Sequence, residues 1–316
     1  MIDDTSRIVR DTVRKIRSRE ISTADDTAKA ASYALENAAS SITSGTTQQF
    51  LDKLVETGMT LSESRPTSAS LQNSTRYVIH MAKLAAESGL SFMDVRQSAI
   101  DAAKAFRMKI DDAKAKIGDI GSKRITSGDM IFTHCYSTTV LSILKRVKEE
   151  GKDVHVIVTE SRPAFEGRKM AHEILKIGFQ ATLIIDIAAR VFMHDVDNVL
   201  VGAEAIAANG AIVNKIGTAM IATIAHEARV RTLIAAGTYK FHPESVIGQS
   251  ITIEEEDPSQ IYAERIDDDL VIRNPQYDVC PPEYIDAIIT ERGVIPPQGA
   301  YFLLRRIFEE EYGFRM

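Results

Sequence analysis

Only two cysteines, Cys135 and Cys280, occur in the 316 residues. So few thiols exclude a disulfide framework, and both are expected to be free. No window approaches the roughly 18 consecutive apolar residues that a membrane-spanning helix needs. The opening MIDDTSRIVR also lacks the apolar core of a signal peptide, so a cytoplasmic protein with no membrane partner is expected. The seven histidines include no pair at helical metal spacing and no Cys-x-x-Cys occurs, which leaves a metal ion without a home. No Gly-x-Gly-x-x-Gly or P-loop is present either, so neither a dinucleotide nor NTP hydrolysis is signalled and no cofactor is expected. An excess of positive charge is likewise missing. The formal net charge of -6 argues against a general nucleic-acid coat.

The remaining composition, 44% hydrophobic and 26% charged, is that of a soluble globular chain long enough for two domains. The two halves differ in period. From Asp3 to about Lys123 apolar residues recur every three or four positions: Ile8, Val9, Val13, Ile16; Phe50, Leu51, Leu54, Val55; Phe92, Val95, Phe106, Ile110, Ile117, Ile120. This spacing predicts helices. Pro66 after Arg65, and Ser91 with Asp94, read as helix starts. The alanine-rich stretch from Ala24 to Ile42 allows close helix packing and suits an interface.

After Gly128 the pattern changes to strand-length apolar runs separated by amphipathic, helix-length stretches. The runs are Met130–Thr133, Val154–Val158, Ala181–Ile185, Asn198–Val201 and Arg231–Ala235. Continuous apolar runs alternating with helices predict a mainly parallel, Rossmann-like sheet buried on both faces. Further strand-like runs are Ser250–Ile253, Leu270–Ile272 and Ala287–Ile289, and Gly299–Phe308 reads as a last helix. The expectation is an α/β protein, with an N-terminal helical domain over 1–125 and a Rossmann-like substrate-binding domain over 126–316.

Ligands of open α/β sheets bind beyond the carboxyl ends of the strands. The first run leads into His134, Cys135, Tyr136 and Ser137, then a helix. Cys135 is placed like a nucleophile or base, and the hydroxyls of Ser137, Thr138 and Thr139 with the helix-start amides offer an anion site that would lower the thiol pKa. A small buried hydrophobe is the alternative role. His134 should face away from Cys135, as adjacent strand residues do, and be satisfied by backbone. Glu160 follows the second run, Asp186 the third and Glu204 the fourth, with Arg162 as a partner charge for Glu160 or Asp186. A salt-bridge network that holds the loops is the alternative for these carboxylates. Asn214 and Lys215 are read at a helix start where amides and a lysine hold phosphate, or where Asn214 is only a cap, and Lys240 adds a second lysine after the fifth run. A thiol, carboxylates and two lysines suit a phosphorylated small molecule and proton transfer, with a sugar phosphate or nucleoside monophosphate as the ligand.

The segments GDMIFTHCYS, VIVTESRP, VGAEAIAANGAIVNKIGT and AAGTYKFHP resemble the superfamily of ribose 1,5-bisphosphate isomerases, methylthioribose 1-phosphate isomerases and the regulatory subunits of translation initiation factor 2B. The resemblance runs from SRPTSASLQNSTRYVIH to PPEYIDAIITERGVIPP and is greatest to the archaeal ribose 1,5-bisphosphate isomerases. It implies a helical domain on a Rossmann-like one, homodimers assembling to a homohexamer, and conversion of ribose 1,5-bisphosphate to ribulose 1,5-bisphosphate in AMP breakdown, with AMP as an activator. It further implies that Cys135 and an acid share the proton transfers, and that Arg65, Ser137, Asn214, Lys215 and Lys240 bind substrate. The chain departs from the isomerases in three places. Ser22-Thr23-Ala24-Asp25 stands where they carry an arginine-glycine-alanine-glycine phosphate loop, Glu204 replaces the catalytic aspartate, and Thr138 replaces a lysine. Glu204 resembles the initiation factor subunits, so the alternative is a non-catalytic regulatory protein that binds a sugar phosphate or nucleotide.

Overall fold

The computed structural model describes residues 4–264 and 269–312. The chain divides into two compact units, Met1–Asp112 with Arg306–Met316, and Ala113–Arg305. The division falls inside one long helix instead of at 125–126, and the end of the last helix groups with the first unit.

The first unit contains helices α1 (Asp4–Arg17), α2 (Ala24–Ser41), α3 (Thr47–Ser62), α4 (Ala69–Glu87), most of α5 (Phe92–Ser122) and the end of α10 (Ala300–Tyr312). Apolar residues at helical spacing meet in one core around Ile16, Leu35, Phe50, Leu54, Leu71, Val78 and Val95. Most alanines of α2 are buried within the unit. Ala28, Ala31, Ala34, Ala38 and Ala39 are buried, and α2 packs on α1, α3 and α4 within the unit. Small side chains on α2 thus serve close packing inside the unit. Ser91 begins α5 as its spacing predicts, accepting a bond from the Asp94 amide at 3.3 Å. Pro66 lies in a turn, and α4 starts three residues later, after Ser68.

The second unit carries a seven-stranded sheet. Its strands are β1 (Met130–Thr133), β2 (His155–Thr159), β3 (Gln180–Ile184), β4 (Asn198–Val201), β7 (Arg231–Ala235), β9 (Ala287–Thr290) and β10 (Gly293–Ile295), and a smaller sheet holds β5 (Ala205–Ile206), β6 (Ile212–Lys215) and β8 (Tyr277–Cys280). Helices α6 (Thr138–Glu149), α7 (Glu166–Ile177), the short α8 (Ala189–Phe192) and α9 (Thr218–Ala228) connect them. The order is β10-β9-β7-β4-β1-β2-β3, parallel throughout except for β10 against β9. This is the mainly parallel Rossmann-like sheet that the apolar runs predict.

Strand β1 pairs with β2 on one side and β4 on the other. The chain therefore runs outward through β2 and β3, returns, and runs outward the other way through β4, β7 and β9. Connections diverge at the β1–β4 boundary, where open α/β sheets bind their ligands. Two expected strands do not form. Ser250–Ile253 and Leu270–Ile272 are irregular, because Leu270 and Val271 are exposed and an apolar run with no sheet to cover it gains nothing from extending. Among the described residues no helix is long and apolar enough to cross a membrane.

Candidate active site

Beyond Thr133 the chain leaves β1 and enters a left-handed turn at Cys135, φ 65°. A side chain with a Cβ pays roughly 1–3 kcal/mol for that conformation, so the surroundings must hold it. The Cys135 amide donates to Ser161 Oγ at 2.8 Å, and Ser161, itself left-handed at φ 60°, has its own amide on Asp186 Oδ1 at 2.9 Å. The ends of β1, β2 and β3 are thereby tied together behind the thiol.

His134 is buried, as expected, and is fastened at both ring nitrogens. Nε2 lies 2.9 Å from the Ile216 carbonyl, which can only accept, so Nε2 carries the proton and Nδ1 accepts from Thr159 Oγ1 at 2.5 Å. Burial lowers the His134 pKa, in keeping with a neutral ring. The ring also explains Gly217. A Cβ there would meet His134 Cε1 and Nε2 at 3.3 Å, and its φ of 102° excludes most other residues.

The Cys135 sulfur meets a carboxylate that lies outside the strand-end residues, on the first turn of α7. Glu166 Oε2 lies 3.6 Å from Sγ, and the same oxygen lies 2.6 Å from Lys215 Nζ. Lys215 is 3% exposed and sits over the Tyr277 ring at 5.7 Å. In the sequence Glu166 is an acid in the first turn of a helix, which reads as a dipole complement. Its six-residue separation from Glu160 and the adjacent glycine were the available signals. Gly167 lets α7 begin against the end of β2, for a Cβ there would fall 1.7 Å from the Thr159 carbonyl oxygen.

The electrostatics run opposite to expectation. Burial, followed by the Glu166 charge, pushes the Cys135 thiol well above its ordinary pKa, while Lys215 pulls the other way, so the resting group is a thiol. Ser137 caps α6 and takes the Val140 amide at 3.2 Å, so that amide is not open to an anion. Gly202 admits the cap closely: a Cβ there would meet Ser137 Oγ at 2.7 Å. Thr138 opens α6 and Thr139 is buried beside it.

Three other expectations are corrected. Glu160 pairs with Arg168 at 2.9 Å, not with Arg162. The Arg162 backbone amide, not its guanidinium, reaches Asp186, at 2.8 Å, and the guanidinium lies over the Phe165 ring. Asn214 and Lys215 end strand β6 and do not open a helix: α9 begins at Thr218, and Asn214 Nδ2 donates to Thr218 Oγ1 at 3.0 Å. Two amides at the start of α9 are already taken, because Asp278 accepts from Gly217 and Ala219 at 2.8 and 3.1 Å. The apolar run over Ile212 and Val213 hid a strand that pairs with β5 and β8.

Glu204 follows β4, the neighbour of β1, and is 5% exposed, with its amide on the Val213 carbonyl at 2.9 Å. Lys240, 4% exposed, closes a short 3-10 turn after β7, where the Thr238 amide donates to Glu291 Oε2 at 3.0 Å. Arg65 belongs to the first unit. It is buried there, and its Nη1 donates to the Ser22 carbonyl at 2.7 Å and Thr27 Oγ1 at 3.1 Å, so it bonds directly to the segment that departs from the isomerase loop. Among the described residues no group of three or more His, Cys, Asp or Glu is arranged to hold a metal ion.

The arrangement can store a proton on a thiol, hold a buried carboxyl near the adjacent strand end, and offer buried lysines to an anion. Comparisons with known proteins fit that chemistry. The sequence profile of the initiation factor 2 subunit family matches residues 20–297. The ribose 1,5-bisphosphate isomerase of Thermococcus kodakarensis is 43% identical over 306 residues, 96% of this chain and 94% of that protein. Among solved structures, the translation initiation factor eIF-2B of Pyrococcus horikoshii OT3 superposes with a TM-score of 0.78 at 30% identity, covering 94% of this chain and 98% of the other. The 5-methylthioribose 1-phosphate isomerase of the same organism gives 0.75 at 28% identity, covering 96% and 88%. With the profile matched over most of its length and an isomerase relative aligned almost end to end, the chain belongs to the initiation factor 2 subunit family.

Proposed function

We propose that this protein is an aldose–ketose isomerase that converts ribose 1,5-bisphosphate to ribulose 1,5-bisphosphate. The observation that carries the reading is the half-buried thiol of Cys135 just beyond β1, with Lys215 and Glu204 on the elements around it, in a chain 43% identical to a named isomerase of that substrate.

The chemistry requires two groups. A sugar phosphorylated on its anomeric oxygen cannot open its ring spontaneously, so an acid must protonate the ring oxygen while a base removes the C2 proton. The C1–ring-oxygen bond then breaks, the C1–C2 double bond forms, and the product of this step is an enol. In the second step the enol hydroxyl returns a proton to the acid residue and C1 takes one from the base, leaving a C2 ketone. Atoms and charge balance over the cycle with no cofactor. Cys135, as thiolate, is the base, and Glu204 is the acid. Lys215 and Lys240 neutralise phosphate, with Ser137, Thr138, Thr139 and Asn214 as polar neighbours, while Asp186 and Glu160 hold the loops.

The working form is a homodimer that assembles to a homohexamer, with AMP as an activator. The sheet edge at β3 supports association, because Leu183, Ile185, Ile187 and Val191 there are 47%, 56%, 73% and 65% exposed. The deciding experiment incubates purified protein with ribose 1,5-bisphosphate, with and without AMP, and follows ribulose 1,5-bisphosphate. Wild type is expected to turn over and Cys135→Ser to lose activity. Ligand binding without turnover by wild type would replace this reading with that of a regulatory sugar-phosphate or nucleotide binder.

A further inference from the structure

A base must first lose its own proton, and the resting Cys135 is a thiol held protonated by its surroundings. Glu166 Oε2 contacts its sulfur at 3.6 Å, but that oxygen also sits 2.6 Å from Lys215 Nζ, so in this arrangement it is engaged by the lysine. Lys215 is 3% exposed, so its charge is poorly screened by water and is strongly felt by whichever anion lies against it. A phosphate group is a stronger partner for an ammonium than a single carboxylate is, because it carries more charge and more acceptor oxygens.

We propose that Glu166 is the proton acceptor that turns the Cys135 thiol into a thiolate, and that a phosphate group arriving at Lys215 releases it for that role. This deepens the isomerase reading and rests on it. In the substrate-free protein, Glu166 occupies the lysine as an internal anion. When phosphate takes Lys215, Glu166 loses its counter-ion and gains a negative neighbour, and its oxygen beside Sγ is left to take the thiol proton. The S–H bond then breaks with its electron pair left on Sγ, and the proton forms an O–H bond with Oε2. The pair's net charge is unchanged, so the transfer needs no outside reagent. The thiol is thus activated when an anionic substrate is present and remains inert without one.

The test reads the thiolate directly, by ultraviolet absorbance of the intact protein at neutral pH, taken as the difference from Cys135→Ser. Inorganic phosphate is the probe, and calorimetry verifies its binding. Phosphate is expected to raise the thiolate signal in wild type and to leave it flat in Glu166→Gln. An equal rise in both proteins, or no rise in wild type despite bound phosphate, overturns the proposal. This arm needs no turnover, so it is decided even if the isomerase reading fails. The kinetic arm looks for a split between constants. Glu166→Gln should lower kcat at neutral pH by about 10²- to 10⁴-fold, the scale of a lost proton transfer, with recovery toward high pH. Its KM should fall, because the rival for Lys215 is gone. A merely structural role would raise KM and leave the pH profile in place, which would also overturn the proposal. Glu166→Asp keeps a carboxylate for Lys215 and serves if Glu166→Gln does not fold. Withdrawn by about one methylene, it should lower kcat about a hundredfold, and an unchanged kcat and pH profile would refute the role.

Discussion

Replacing Gly167 with alanine tests how the fold delivers Glu166 to the thiol. The added Cβ would lie 1.7 Å from the Thr159 carbonyl oxygen, 2.9 Å from the Thr159 carbonyl carbon and 3.0 Å from that of Glu160, all backbone atoms that cannot rotate away. Ordinary contact begins near 3.4 Å, so α7 must retreat from the end of β2 by more than an ångström or the strand end must give way. Overpacking of this kind costs about 1–3 kcal/mol or more. For a unit of this size each kcal/mol lowers Tm by roughly 2–4 °C, so a fall of about 2–12 °C is expected by circular dichroism. Glu166 moves with the helix, and its contacts at 3.6 Å to Sγ and 2.6 Å to Nζ cannot both survive. A misplacement of about 1 Å is expected to cost roughly a hundredfold in turnover of ribose 1,5-bisphosphate. Gly299→Ala is the control, since its Cβ would meet nothing nearer than 3.6 Å. A Gly167→Ala protein with the Tm and turnover of wild type would refute the close approach of α7 to β2.

Two further substitutions probe the pocket from other sides. Glu204→Gln should bind ribose 1,5-bisphosphate with nearly unchanged affinity yet lose about 10²- to 10⁴-fold in kcat, because the amide cannot donate the acidic proton; unchanged turnover in a stopped assay would remove Glu204 from the mechanism. Asp278 is a pH probe of stability: burial raises its pKa to about 6 from the ordinary 3.8, against the pull of the Gly217 and Ala219 amides. The folded chain therefore keeps this proton between about pH 4 and pH 6 while the unfolded chain has released it, so stability falls as pH rises through that window. The loss is about 2–3 kcal/mol at the top of the window, at about 1.4 kcal/mol per pH unit. Asp278→Asn should remove that pH dependence, and denaturant titrations in which both proteins keep the same dependence would refute it.

Much of the architecture was written in the local pattern. Five apolar runs became β1, β2, β3, β4 and β7 within a residue of their expected bounds, because strands inside a parallel sheet need unbroken apolar stretches and their spacing leaves room for one helix each, although β3, at the sheet edge, is partly exposed instead of buried on both faces. The placement of Cys135 followed from the rule for strand ends. Sequence could not show that β1 lies between β2 and β4, which is a matter of long-range pairing. Nor could it show that Asn214 and Lys215 end a strand, because β6 is stabilised by β5 and β8, and β8 begins more than sixty residues further on.

The same division runs through the site. Composition and motif order identify which residue types carry the chemistry, since each strand end must present its next residues to the cleft. Which partner each one meets depends on distances between elements far apart in the chain. Glu160 took Arg168, Asp186 took two amides, and Glu166 took both the thiol and Lys215. The thiol's protonation state was decided the same way: local sequence offered it a helix start, but burial and a carboxylate thirty-one residues away raised its pKa. A charge responds to what lies within a few ångströms of it, and tertiary structure alone sets those distances.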